Sequence, residues 1–173
     1  MRKIFTILTV LFSITLFAVD DTTYYNRDWR ITTQKKATYY RVLKELDQGD
    51  YWQYRDYYLE NDSLQNVGFF SEIDPNIHDS LCVWYHDNGI VSQKGFYKED
   101  SAIGTWVEYH DNGKLKSKGN YEGYRIGDWS WWYRSGNLQS TATYDTLGLT
   151  GEKIWYFDDE NSVRRTEFYT KNV

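Results

Sequence analysis

A single cysteine and a single proline stand in 173 residues, and with that scarcity several classes of protein drop out. Cys82 has no second cysteine to pair with, so no internal disulfide staples the chain, even in an oxidising compartment. No C-x-x-C, H-E-x-x-H, G-x-S-x-G or phosphate-binding glycine loop occurs. A thiol redox pair, a zinc protease, a nucleophile elbow and a nucleotide cradle therefore have no support, and no catalytic residue, metal ligand or cofactor is expected. Aliphatic bulk is short as well, with a mean hydropathy of −0.75. Basic charge is in deficit, 20 Lys+Arg against 25 Asp+Glu, and an acidic chain is a poor ligand for nucleic acid or an anionic membrane.

What is abundant is aromatic: 8 Trp, 17 Tyr and 8 Phe. Burial must then come from large amphipathic rings, and the dominance of strand formers predicts an all-β protein. The one long apolar run, Ile4 to Val19, follows Arg2 and Lys3. That is the layout of a secretory signal peptide, and the run is shorter than the ~20 residues of a membrane span. The expectation is a signal over residues 1–18, cut after Ala18, with an uncleaved anchor as the alternative. No cysteine lies near the cut, which excludes a lipid-modified start. The chain is expected to be exported to the periplasm, cell envelope or outside, with no integral span after signal removal.

Gly104 to Tyr121 (GTWVEYHDNGKLKSKGNY) repeats as Gly127 to Tyr144 (GDWSWWYRSGNLQSTATY) and, before it, as Ser80 to Tyr97 (SLCVWYHDNGIVSQKGFY). Self-similarity at a period in the twenties marks a stacked repeat architecture. Asp-Asn-Gly between Trp/Tyr/Val-rich flanks reads as a β-hairpin. A three-residue loop, Asp111 to Gly113, with Gly113 at positive φ, pairs Tyr109 with Leu115 and Val107 with Ser117. It puts Val107, Tyr109, Leu115, Gly119 and Tyr121 on one side, the expected core. Glu108 then faces Lys116 on the other side as a charge pair. Gly95, Gly119 and Ala142, small once per unit, read as room for a large ring from the neighbouring strand.

Elsewhere the pattern loosens. Tyr58 to Phe70 is a unit with Asp62 where the turn glycine should be; Tyr25 to Tyr39 is a degenerate one. Tyr39 to Leu46 reads as a strand, with a short helix as the alternative. Ser71 to Asp79, which holds Pro75, reads as an inserted loop. The divergent last unit, Gly151 to Tyr169, reads as a cap. The organisation expected is a signal at 1–18, a degenerate β segment at 19–50 and a repeat domain at 51–173.

The pattern G-x-W-x-x-Y-x-x-[ND]-G-x-L-x-x-x-G-x-Y resembles the MORN repeat, and more closely its bacterial variant named as an antitoxin component. The resemblance covers residues 80–169 and, in part, 51–70. It implies tandem β-hairpins laid side by side in one elongated, twisted antiparallel sheet, serving as a structural or interaction surface. An antitoxin working in the cytoplasm would not carry an export signal, so a cognate toxin ranks last among its partners.

Among the residues that could carry chemistry, His86 and His110 recur in YHDNG. Equivalent positions two strands apart are separated by ~9.5 Å, too far for both to ligate one zinc directly. Asp158, Asp159, Glu160 and Asn161 lack the spacing of a calcium loop, and Asp74, His78 and Asp79 lie beside no nucleophile motif. Cys82 stands where later units have Trp106 and Trp129, which makes it a packing residue. The remaining feature is a row of Trp84, Trp106, Trp129 and Trp131 on the face opposite the Tyr/Leu side. These rings either cover a second face by packing together or form an exposed platform. The leading reading is an exported, non-catalytic scaffold for a protein partner. The alternative is a carbohydrate-binding module whose exposed Trp row takes an extended glycan.

Overall fold

In a computed structural model, the described residues are 21–46, 51–73, 76–159 and 162–170; the expected signal peptide lies outside them. They form thirteen strands: β1 (Asp21–Tyr25), β2 (Tyr39–Leu46), β3 (Tyr51–Tyr58), β4 (Leu64–Ile73), β5 (Asn76–His78), β6 (Ser80–Tyr85), β7 (Val91–Lys98), β8 (Ser101–Tyr109), β9 (Leu115–Glu122), β10 (Arg125–Trp132), β11 (Leu138–Asp145), β12 (Gly148–Tyr156) and β13 (Val163–Tyr169). All belong to one open antiparallel sheet in sequence order, except that β5 shares the flank of β4 with β6. The protein is thus all-β, a ribbon of tandem hairpins about 50 Å long at the usual strand spacing. Extensive contact runs only between neighbouring strands, so there is one layer and no second sheet among the described residues. No helix among them is long and apolar enough to cross a membrane.

The Asp-Asn-Gly hairpins close as their sequence dictates. His110 N donates to Lys114 O at 2.8 Å, Gly113 N donates to His110 O at 2.9 Å, and Gly113 takes φ 79°. Tyr109 pairs with Leu115. Immediately beyond, β9 carries one residue too many, so that Ser117 faces Glu108, Lys118 faces Val107 and Gly119 faces Trp106. This β-bulge at Lys116 reverses side-chain parity along the rest of the strand. Gly119 and Tyr121 therefore leave the side of Val107 and Tyr109, where the sequence reading had placed them, and join Trp106. The Glu108 to Lys116 ion pair still forms, at 3.2 Å.

The core accordingly lies on the tryptophan side. Tyr54, Phe70, Cys82, Trp106, Trp129 and Ala142 are buried there with Asp56, Asn66, Ser117 and Ser140. The opposite side, through Val83, Lys94, Val107, Lys118, Ser130 and Thr141 in register, is mixed and largely polar.

Residues 39–46 are a strand, as expected. The supposed inserted loop is mostly sheet: β4 runs on to Ile73 and β5 returns along it, His78 opposite Phe70. At the start of β6, Ser80 adopts φ 85°, where Gly104, Gly127 and Gly151 sit at 63–67° in later strands.

Candidate binding face

Two rows of side chains cross the aromatic side of the sheet. The first alternates large and small. Within hairpins Tyr54 faces Gly68, Cys82 faces Gly95, Trp106 faces Gly119, Trp129 faces Ala142 and Lys153 faces Glu167. Between hairpins each large residue lies on the small one before it. A Cβ at Gly95 would stand 2.2 Å from Trp106 Cδ2, and one at Gly119 would stand 2.1 Å from Trp129 Cδ2. The glycines are seats for rings. Ala142 already has a Cβ, and its partner on β12 is Lys153 in place of a ring.

For half of the tryptophan row this seating is packing, not an exposed platform. Trp106 is 7% exposed and Trp129 2%, because each indole lies flat on glycine with rings at its flanks. Tyr121 stands edge-on to both, at 5.6 and 5.1 Å. Trp129 Nε1 donates to Asn120 O at 3.2 Å. Trp106 Nε1 is buried with no hydrogen-bond partner among the described residues.

Trp84 and Trp131 belong to the second row and are only half-buried. Here Arg41, Asp56, Asn66 and Trp84 pair in line from β2 to β6. The line continues through Gln93, Glu108 and Ser117 to Trp131 on β10 and Trp155 on β12. Cations lie over its C-terminal rings: Arg125 is 5.8 Å from Trp131, while Lys153 and Arg165 are 4.8 and 4.9 Å from Trp155. A guanidinium or ammonium in these positions is held by the ring quadrupole while its charge stays at the surface.

At the N-terminal end, Arg41 forks Asp56 through Nε and Nη2 at 2.7 and 2.9 Å. Burial pushes the Asp56 carboxyl up, against the pull of the guanidinium. Beside them, burial also raises the Tyr54 hydroxyl and the Cys82 thiol, which lie 3.6 Å apart. Sequence reasoning missed this ion pair. Its one signal was a charge in the middle of each aromatic strand, YYRVL and YRDYY.

The repeated YHDNG turns are structural clamps. His86 Nε2 donates to Tyr109 O and His110 Nε2 to Trp132 O, each at 2.9 Å; Tyr133, the equivalent residue in the third unit, donates to Tyr156 O at 2.8 Å. Asn88 and Asn112 likewise donate to Asp111 O and Arg134 O of the next turn. Each turn is laced to its successor through carbonyls that only accept. Among the described residues no three His, Cys, Asp or Glu side chains gather as a metal site. Asp158 Oδ1 accepts from Asn137, and Asp159 Oδ1 from the backbone of Ser162; Glu160 and Asn161 lie outside the described residues. His78 Nδ1 pairs with Asp100 at 2.9 Å, and Asp74 is not described.

No curated protein matches the chain. A family model described as "MORN repeat variant" matches residues 79–99, 103–122 and 125–146, which are the hairpins formed by β6–β7, β8–β9 and β10–β11 together with their connections. The three consecutive hairpins that carry Trp106, Trp129 and the glycines under them are therefore MORN repeats.

Proposed function

We propose that this chain is an exported, non-catalytic scaffold that holds a protein partner at the cell envelope through the aromatic side of its sheet. MORN repeats are generally protein-interaction modules and suggest a repeat-scaffold role. The observation that supports the finer reading is the missing second layer: Trp131, Tyr144 and Trp155 remain half-buried on a side that nothing else in the described chain covers. Amphipathic rings with cations among them suit the centre of a protein interface, where aromatic residues and arginine concentrate. Export rests on the apolar run after Arg2 and Lys3.

The test is a photo-crosslinking amino acid placed at Trp131, with Lys118 on the polar side as control, in cells then separated into cytoplasm and envelope. One discrete adduct from position 131, absent from 118 and found in the envelope fraction, is the expected result. Equal labelling from both positions, or an intact chain in the cytoplasm, would refute the reading.

A further inference from the structure

We infer a second, independent site: the cleft between Trp29 and Trp84, at the N-terminal end of the aromatic side, binds a neutral saccharide. Its lining includes Trp29 from the turn after β1, Arg41, Asp56, Gln65, His78 and Trp84, around about 290 Å³. Pockets for larger organic ligands start near 300 Å³, so this space takes about one sugar ring, with any further units leading out over the open sheet.

The charge balance selects the ligand class. Arg41 and Asp56 cancel one another in a two-pronged pair, and His78, which also lines the cleft, is paired through Nδ1 with Asp100, so every charged group of the lining has its counter-charge and none is left over for a phosphate, a carboxylate or a metal ion. The Arg41 to Asp56 pair is not exhausted as a hydrogen-bonding group. It uses Arg41 Nε and Nη2, whereas a guanidinium has further donors on Nη1 and each carboxylate oxygen a second lone pair. Planar groups with fixed, adjacent donors and acceptors match neighbouring hydroxyls on a sugar ring. Gln65, in the same wall, hydrogen-bonds the Tyr58 hydroxyl through its amide, while its Oε1 is buried and accepts no hydrogen bond from any described residue, an acceptor that a ligand hydroxyl would satisfy.

The rim supplies the other half of sugar recognition. Trp29 holds φ 58°, a left-handed conformation that a bulky residue adopts only under constraint. The constraint is Asn26, whose Oδ1 accepts from Asp28 N and Arg30 N, both at 3.0 Å, while its carbonyl accepts from Trp29 N. The strained residue is not buried by this device. Its indole stacks on Tyr39 at 4.6 Å with 8° between planes, yet stays 41% exposed. Trp84, half-buried on β6, lines the same cleft. Two indoles thus line the cleft, and aromatic rings suit the weakly positive C–H groups of a pyranose.

The test is titration of the full mature chain with four neutral hexasaccharides, built from glucose (β-1,4 and α-1,4), mannose and N-acetylglucosamine, read by tryptophan fluorescence and calorimetry. A hexagalacturonate serves as the charged control. The expected result is saturable binding of at least one neutral oligomer, weakened at least tenfold by Trp29→Ala and by Gln65→Ala but unchanged by Trp131→Ala. Circular dichroism and the urea midpoint show whether each variant is folded; Gln65→Ala carries the test if Trp29→Ala is not. No binding by any neutral oligomer at millimolar concentration overturns the inference, as does binding that survives Gln65→Ala or favours hexagalacturonate. Loss of the protein partner at Trp131 leaves all of these outcomes unaffected.

Discussion

Trp129 lies flat against Gly119, so close that a Cβ on the glycine would stand 2.1 Å from the indole Cδ2. The same relation joins Trp106 to Gly95 at 2.2 Å. A single-layer sheet has no opposing layer to bury its rings, and it solves this by burying each ring sideways, over the backbone of the preceding hairpin. The 23- to 24-residue offset repeats this contact, and the stacking of hairpins follows from it.

Gly119→Ala should therefore overpack the seat and lower stability by about 1–3 kcal/mol, seen as a fall in the urea midpoint with unchanged slope. Gly113→Ala tests a different cost. A Cβ there would meet only Ile90 Cγ2, at 3.8 Å, so its loss of about 1–2 kcal/mol comes from the positive φ alone. A Gly119→Ala protein as stable as the parent would mean that Trp129 is not seated on that strand.

Ser80 is the reverse case. It holds φ 85° at the place where Gly104 takes 63°, and a serine in that region stores about 1 kcal/mol that glycine does not. Ser80→Gly should raise the urea midpoint, and Gly104→Ser should lower it. If Ser80→Gly is neutral or destabilising, the bend between β5 and β6 has another cause.

How much of this was legible in the chain differs from feature to feature. Asp-Asn-Gly fixed the hairpins and their loop, because only a residue tolerant of positive φ closes that turn, and Gly113 supplies it. Small residues once per unit announced seats for rings, and two of the three hold one. Which side is the core was not legible: the extra residue at Lys116, matched by one beside the turn of each neighbouring hairpin, reverses parity, and a period-two reading carried across it assigns Gly119 and Tyr121 to the wrong side. The Trp29 cleft was hidden for another reason. Arg41 and Asp56 are fifteen positions apart, and only the register of β2 on β3 makes them a pair.

The lateral clamps predict a tautomer. His86 and His110 each meet a backbone carbonyl through Nε2 at 2.9 Å, so the neutral rings must carry their proton on Nε2. Long-range ¹H–¹⁵N correlation at neutral to mildly alkaline pH should show the Nε2–H form for both. His110→Ala should cost about 1 kcal/mol. A dominant Nδ1–H form would contradict the clamp.

Alkaline pH offers another check. Burial and the hydrogen bond to Asp62, 3.1 Å away, push the Tyr40 hydroxyl up to about 12. Its folded value lies above the unfolded one near 10, so the folded state holds the proton more tightly. The stabilisation is complete below pH 10 and is lost as pH rises through about 12. Tyr40→Phe should consequently lose less stability than the parent between pH 9 and pH 11.5, measured by urea midpoints at both. Parallel losses in the two proteins would place Tyr40 outside this linkage.

Cys82 gives the sharpest test of whether the repeat pattern or the local packing governs stability. It occupies the position of Trp106 and Trp129, and restoring tryptophan would complete the repeat. Tyr54 has already taken the space: a Cβ on the neighbouring Gly68 would stand 2.6 Å from both Cys82 Sγ and the Tyr54 hydroxyl, and Tyr54 stacks on Phe70 at 4.4 Å. Neither Tyr54 nor Cys82 is more than 1% exposed. Cys82→Trp should therefore destabilise by about 1–3 kcal/mol through overpacking, although it brings the sequence closer to its own repeats. The native thiol, pushed up by burial, should react with an aromatic disulfide reagent only after unfolding in urea. A Cys82→Trp protein more stable than the parent would mean that Tyr54 can yield its place, and that the first repeat is an incomplete copy of the others, not a differently packed one.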